Sequence, residues 1–152
     1  MRIGSRFRVI LLVAAAVIAA GNVHAQTSVG VILGEPTGLS AKMWIGERSS
    51  IDLAVAWSFI QNGSIYAHAD YQQHFTFPDF GVDRLLFFVG LGPKFYVGDQ
   101  LRIGLRIPLG AVYDFGDLPL EVFLELAPGI LLFPETRIDG GGGIGIRYRL
   151  GE

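Results

Sequence analysis

Cysteine is absent from the 152-residue sequence, so neither a disulfide framework nor a thiolate zinc site can form. Basic residues are also few, with 12 Lys and Arg against 14 Asp and Glu. Nucleic-acid surfaces need clustered Lys and Arg to neutralise phosphates. Nucleic acid is therefore not expected as a partner.

The sequence has no apolar run long enough to cross a bilayer as a helix. Its longest run, Val9–Ala20, is well short of the about 20 residues that a spanning helix needs. Three arginines precede this run, and the small-residue pattern of Val23-His24-Ala25 follows it, which is the order of a secretory signal peptide. We therefore predict a cleaved signal peptide over residues 1–25 and a single exported domain over residues 26–152.

Helical periodicity is missing after residue 25, whereas apolar and polar residues alternate almost throughout. Clusters of turn residues divide the domain into eight predicted strands; these clusters are residues 34–38, 46–50, 61–63, 78–83, 98–100, 114–117 and 134–137. Short strands at regular spacing are typical of an all-β sandwich or barrel.

Two barrel architectures fit this alternation. A soluble lipocalin-like barrel turns its apolar residues inward, and a transmembrane barrel turns them outward. The apolar positions hold large side chains in every strand, whereas an eight-stranded barrel has only a narrow interior. Glycines occupy many of the alternate, polar positions, where they would leave room for charged side chains: Gly90, Gly92, Gly104, Gly110, Gly141, Gly143 and Gly145.

Aromatic residues near the strand ends also favour the membrane, since transmembrane barrels carry aromatic girdles at both interfaces. The residues in question are Trp44, Phe59, Phe75, Phe77, Phe95 and Tyr148. We predict an eight-stranded antiparallel transmembrane β-barrel. An even strand count puts both termini on the periplasmic side. The turns near residues 48, 80 and 116 would also be periplasmic. The turns near Glu35, Asn62, Asp99 and Glu135 would then be extracellular.

At this point the domain resembles the small eight-stranded outer-membrane β-barrel proteins of Gram-negative bacteria, in particular short-loop, largely uncharacterised members. The resemblance rests on the strand pattern and on the stretches GEPTGLSAKMW, LRIGLRIPLGAVYDF and PLEVFLELAPG. It implies outer-membrane location, a monomer, no cofactor, and outer-membrane lipids and the barrel-assembly machinery as partners. One alternative is an outer-membrane enzyme that hydrolyses or transfers lipid A acyl chains. Another is a soluble periplasmic lipocalin-like protein that binds a ligand.

Charges of both signs share the polar positions, and their numbers nearly balance. They are Lys42, Asp52, His68, Asp70, Lys94, Arg102, Arg106, Glu121, Glu125, Asp139, Arg147 and Arg149. Unpaired charges are too costly to bury. We therefore predict that these residues fill the lumen as ion pairs and that the barrel conducts no ions. The turn at residues 114–117 would place Arg106 directly opposite Glu125, and the next turn would bring Arg147 near Glu125.

Other candidate motifs are better explained by the barrel itself. His74 would lie about 20 Å from His68 along one strand, so we predict no metal site there. No phrase of the His-x-Ser-Asn type points to a hydrolase. The glycines from Gly140 to Gly145 have the G-x-G-x-x-G spacing, but a predicted strand follows them instead of the helix that phosphate binding requires. Pro93, Pro108 and Pro128 are predicted to mark bulges or strand ends.

Overall fold

The computed structural model describes residues 26–58, 64–77, 81 and 83–151. The predicted signal peptide, Phe59, the turn at residues 61–63 and most of the turn at residues 78–83 lie outside the described residues. Within the described part of the chain, no helix is long and apolar enough to cross a membrane.

The described residues form nine strands, which make one antiparallel sheet that closes into a ring. They are β1 (Thr27–Glu35), β2 (Thr37–Trp44), β3 (Ser49–Ser58), β4 (Ser64–Phe75), β5 (Leu85–Val97), β6 (Arg102–Arg106), β7 (Leu109–Asp114), β8 (Leu120–Phe133) and β9 (Arg137–Leu150). The ring closes because β1 pairs with both β2 and β9. Strands β6 and β7 both lie between β5 and β8, so together they fill one position. The nine segments therefore make an eight-stranded barrel, as predicted.

Proline separates β6 from β7. The register against β5 continues across the break, from Arg106 opposite Gly92 to Leu109 opposite Val89. Pro108 has no N–H to donate, although its carbonyl accepts a 2.8 Å hydrogen bond from the Gly90 amide. The prediction of a strand end at Pro108 is thus confirmed. Together β6 and β7 span residues 102–114 as one double strand, and its centre therefore lies nearer to Leu109 than to Leu105.

The other two strand prolines behave differently from the prediction. Pro93 lies inside β5 and Pro128 inside β8, and the pairing continues on both sides of each. The bulge lies instead at Leu132, because Ile103 pairs with Phe133 while Gly104 pairs with Leu131. A bulge puts one extra residue into a strand. This extra residue explains why residues 130–133 lose their alternation.

The two faces of the barrel have the polarity predicted for a membrane protein. Arg106 and Lys42 are among the largest fully buried side chains, whereas Leu124 and Leu126 are about 60% exposed on the outside. The position of Trp44 differs from the predicted place in an outer aromatic girdle. It occupies an inward position of the alternation, and its ring lies 4.4 Å from that of His74. Trp44 therefore belongs to the lumen, while Phe75, Phe77, Phe95 and Tyr148 are exposed.

Gly145 leaves room in the lumen for the larger side chain of Phe123. A Cβ atom at Gly145 would lie 2.3 Å from two atoms of the Phe123 ring and 2.5 Å from the Val31 carbonyl oxygen. A Cβ atom at Gly140, which faces outward in the same strand, would meet nothing closer than 3.7 Å. The two positions therefore form a matched pair.

We expect Gly145→Ala to lower the free energy of unfolding by about 1–3 kcal/mol, because the new methyl group overpacks the lumen against backbone and ring atoms. Gly140→Ala should have little effect. Urea unfolding of both variants in lipid vesicles measures the difference. Equal stabilities would show that the lumen around Phe123 is not tightly packed.

Candidate functional site in the charged interior

Eight inward-facing side chains from six strands form a continuous set of contacts across the lumen, here called the lumen network. All eight are buried, and they are Lys42, Asp52, His68, Asp70, Arg106, Glu121, Glu125 and Arg147. Strict alternation along β2, β3, β4, β6, β8 and β9 directs them inward. Alternation along each strand thus determines which side chains face the lumen.

Glu121 is held between two cations at one side of the network. Its Oε1 lies 2.8 Å from Lys42 Nζ and 3.1 Å from Arg147 Nη1. Arg147 also donates through Nε to Ser40 Oγ at 2.9 Å, and its guanidinium carbon lies 3.8 Å from the centre of the Phe123 ring. Cation–π contact and hydrogen bonds together compensate for the water that this guanidinium has lost.

Asp52 and Asp70 lie directly opposite each other on β3 and β4, an arrangement that by itself is repulsive. Arg147 donates through Nη2 to Asp52 Oδ2. His68 Nε2 lies between the two carboxylates, 3.3 Å from Asp52 Oδ1 and 3.4 Å from Asp70 Oδ2. The imidazole therefore links the two acidic residues.

Arg106 joins the other side of the network. Its Nη2 donates to Glu125, and its Nε lies 3.2 Å from Asp70 Oδ2. Its Nη1 lies 2.9 Å from the Tyr66 hydroxyl and 2.6 Å from His68 Nδ1. A guanidinium can only donate, so His68 Nδ1 must accept and the ring proton lies on Nε2. Both ring nitrogens of His68 are thus engaged.

The contact between Arg106 and Glu125 is present, but the predicted register is wrong. Arg106 lies opposite Gly129, and Glu125 lies opposite Gly110. The hairpin pairs Asp114 with Glu121, so its turn lies about two residues later than predicted. The length of the two side chains allows them to meet across the offset.

The predicted neighbourhood of Arg147 also needs correction. Arg147 lies directly opposite Glu121, and Glu125 lies opposite Gly143. The β8–β9 turn occurs earlier in the chain than the sequence suggested, because Leu131 already pairs with Arg137. Arg147 therefore contacts Glu121 and Asp52 instead of Glu125.

The remaining predicted lumen residues lie towards the two ends of the barrel. Lys94 is paired with Asp139 near one rim, and Arg102 lies half-buried at the start of β6. Arg149 lies at the opposite end, where its Nη1 is 2.6 Å from Asp114 Oδ2, and the Asp114 side chain is 34% exposed. These contacts extend the pairing of opposite charges beyond the lumen network.

A metal ion could in principle be held by three members of the lumen network. Ligand atoms of Asp52, His68 and Asp70 all lie within 4.8 Å of one another, and all three residues are buried. Arg147 and Arg106 already contact these same carboxylates. A dication placed here would face two guanidinium groups at close range, and so we assign the cluster to the ion-pair network.

The site prediction named only ionisable residues and did not identify the uncharged side chains that contact them. Tyr66 binds Arg106, Ser40 binds Arg147, and Phe123 stacks on the Arg147 guanidinium. All three occupy inward positions of the alternation, two residues from a charged side chain on the same strand. Alternation could have identified them, but the search for charges did not.

Comparisons with known proteins give a match in structure but none in sequence, since no family model and no curated protein matches the chain. The N-terminal β-barrel domain of Pseudomonas aeruginosa OprF matches with a TM-score of 0.67 at 14% identity, over 82% of this chain and 97% of that one. The fold is that of the small outer-membrane β-barrels.

Two further solved structures share this outer-membrane barrel fold. Neisserial surface protein A (NspA) matches with a TM-score of 0.50 at 12% identity, over 82% of this chain and 94% of that one. The Yersinia pestis outer membrane protein Ail matches with a TM-score of 0.50 at 10% identity, over 84% and 100%. At such low identity the likeness concerns the barrel and not particular residues.

Proposed function

We propose that the protein is a small, lipid-embedded barrel of the outer membrane with a structural or interaction role and a lumen closed by ion pairs. The lumen network is the observation that carries this proposal. Its side chains connect six strands across the interior, where water would otherwise run. The exposed apolar exterior suits lipid, and outer-membrane lipids and the barrel-assembly machinery are the partners that we propose for a monomeric barrel.

The closed lumen predicts that the pure protein gives no steady single-channel current in planar bilayers. Side chains fill a barrel of this size, and paired charges do not move aside at low cost. The control is a variant with Arg106→Ser, Glu125→Ser and Arg147→Ser, which shortens three crossing side chains and should give measurable current. Steady currents from the unchanged protein would contradict the proposal.

A lipid-modifying enzyme is less well supported by the geometry. A hydrolase needs a histidine nitrogen that is free to take a proton from a nucleophile. In the lumen network one His68 nitrogen faces Arg106 and the other faces two carboxylates. Acyl-chain analysis of lipid A from cells with and without the protein tests this alternative. A soluble lipocalin-like carrier is disfavoured, because buried charged side chains of the described residues occupy the interior where such a carrier would hold an apolar ligand.

The proposed location in the outer membrane also predicts which end of the barrel faces the cell exterior. Asp99 and Asp117 are exposed residues in turns at opposite ends of the barrel. We expect an impermeant thiol reagent added to whole cells to label Asp99→Cys but not Asp117→Cys, because an even strand count keeps both termini in the periplasm. Labelling in cells with a permeabilised outer membrane provides the control. Labelling of Asp117→Cys alone on intact cells would reverse the orientation.

A further inference from the structure

Three polar side chains lie on the outer surface of the barrel, where apolar side chains otherwise predominate. Ser49, Tyr71 and Gln73 follow the outward positions of β3 and β4 and form what we call the outer polar cluster. Ser49 Oγ lies 3.0 Å from the Tyr71 hydroxyl, and both donate to Gln73 Oε1, at 3.1 and 3.0 Å. These contacts make the cluster a defined arrangement of side chains.

Apolar side chains surround the outer polar cluster. Val89 and Leu91 lie opposite Gln73 and Tyr71 on β5, and both are more than 40% exposed. Ile45, on the other side, donates its backbone N–H to the Ser49 carbonyl and is 56% exposed. The cluster is therefore a polar area within a surface that otherwise suits lipid.

Aromatic residues indicate the depth of the outer polar cluster in the membrane. Phe75 and Phe77 follow Gln73 towards the end of the barrel and are both exposed, and Phe77 packs against Phe87 at 5.2 Å. Aromatic side chains concentrate at the membrane–water interface. The cluster lies on the membrane side of these rings, at the boundary between the lipid headgroups and the acyl chains.

The hydrogen-bond donors of the Gln73 amide nitrogen have no acceptor within the outer polar cluster. Gln73 Oε1 already accepts from Ser49 and Tyr71, so the two N–H donors of its amide nitrogen remain for a partner outside the cluster. Polar donors at membrane depth need an acceptor, because unsatisfied groups are costly there. The phosphate and ester oxygens of a phospholipid are acceptors at this depth.

The adjoining turn carries one charge of each sign. Glu47 and Arg48 directly precede Ser49, and both are exposed. A guanidinium pairs well with a phosphate, and a carboxylate pairs with an ammonium group. The combination fits a zwitterionic headgroup that has both groups.

We propose that the outer polar cluster and the turn residues Glu47 and Arg48 form a binding site for one phospholipid with a phosphate and a primary ammonium group, as in phosphatidylethanolamine. Gln73 and Arg48 donate to the phosphate, and Glu47 accepts from the ammonium group. Val89, Leu91 and Ile45 contact the acyl chains. The site rests on the proposed location in the outer membrane and adds a specific lipid to it.

Native mass spectrometry of the protein purified in detergent with equal amounts of phosphatidylethanolamine and phosphatidylglycerol tests the site. We expect one retained phosphatidylethanolamine in preference to phosphatidylglycerol. Gln73→Leu should lower its retention by about three- to fivefold, the factor that one hydrogen bond in a membrane contributes. Leu124→Ala, an outward change on β8 away from the cluster that removes no donor, is the matched control and should keep the preference.

Glu47→Gln lies in an exposed turn and keeps the fold, and so it tests the site even where Gln73→Leu does not fold. We expect it to abolish the preference for phosphatidylethanolamine. Equal retention of both lipids by the unchanged protein would overturn the site, as would unaltered retention by Glu47→Gln. A dimer that disappears with Gln73→Leu would assign the surface to a second copy instead. Failure to insert into vesicles would refute the proposed function, whereas insertion without lipid preference would refute only this inference.

Discussion

Replacing Arg106 with leucine is expected to lower the free energy of unfolding by about 3–5 kcal/mol, since removal of one partner leaves buried charges without compensation. Arg106 contacts two carboxylates, those of Glu125 and Asp70, and both lie in the interior. Glu125→Leu should cost less, because Arg106 keeps its contact with Asp70. Urea unfolding in lipid vesicles gives all the values.

The double variant separates the ion pair from a general loss of packing. Arg106→Leu with Glu125→Leu should cost less than the sum of the single changes, with a coupling above about 0.5 kcal/mol, as contacting residues normally show. Arg149→Leu is the comparison: its partner Asp114 is 34% exposed, so the carboxylate left behind is partly hydrated and the change should cost less than Arg106→Leu. Additive effects of Arg106 and Glu125 would show that they do not act as a pair.

Placing an arginine at Leu109 is expected to cost about 2–4 kcal/mol in a bilayer, because a charge near the midplane must leave water or distort the lipid. Leu109 lies next to the centre of the β6–β7 double strand and is 41% exposed on the outside. Leu105→Arg, three residues from the centre of the double strand instead of one, should cost somewhat less. Unfolding in vesicles of defined thickness measures both changes.

Leu150→Arg provides the matched control for depth. Leu150 is also outward-facing, with 44% exposure, but it ends β9 at the rim. A charge there reaches the interface and should cost only about 0–1 kcal/mol. If Leu109→Arg and Leu150→Arg were equally tolerated, the outward apolar surface would not be in contact with lipid.

The face on which most strand residues lie could be predicted from the sequence alone, with Trp44 and the bulged residues 130–133 as exceptions. Along β4 the polar set Tyr66, His68, Asp70, Gln72 and His74 is buried, because successive residues of a strand point to opposite sides. Gln73 is polar but occupies an outward position of β4, so it interrupts the alternation of apolar and polar residues. The interior could therefore be assigned as a group of residues without knowledge of any contact.

The partners of these residues could not be predicted in the same way. Shifting the turn after β7 by two residues moves every partner on β8 by four, which is an even number and leaves each side chain on its face. Glu125 was therefore placed correctly in the lumen but opposite the wrong residue. In the actual turn Gly116 has a φ of +64°, and the Phe115 N–H donates to the Leu120 carbonyl at 3.1 Å. Several glycines and aspartates nearby made the choice ambiguous.

The contacts of Arg147 bring together the two ends of the chain. Arg147 binds Asp52 and Ser40, which precede it by 95 and 107 residues. Such contacts need β9 to lie beside β1 and β2, so we expect them to form late in folding. Interactions that are absent from the folding transition state slow unfolding and leave the folding rate almost unchanged. We therefore expect the contacts of Arg147 to affect the lifetime of the closed barrel in the membrane more than the speed of its assembly.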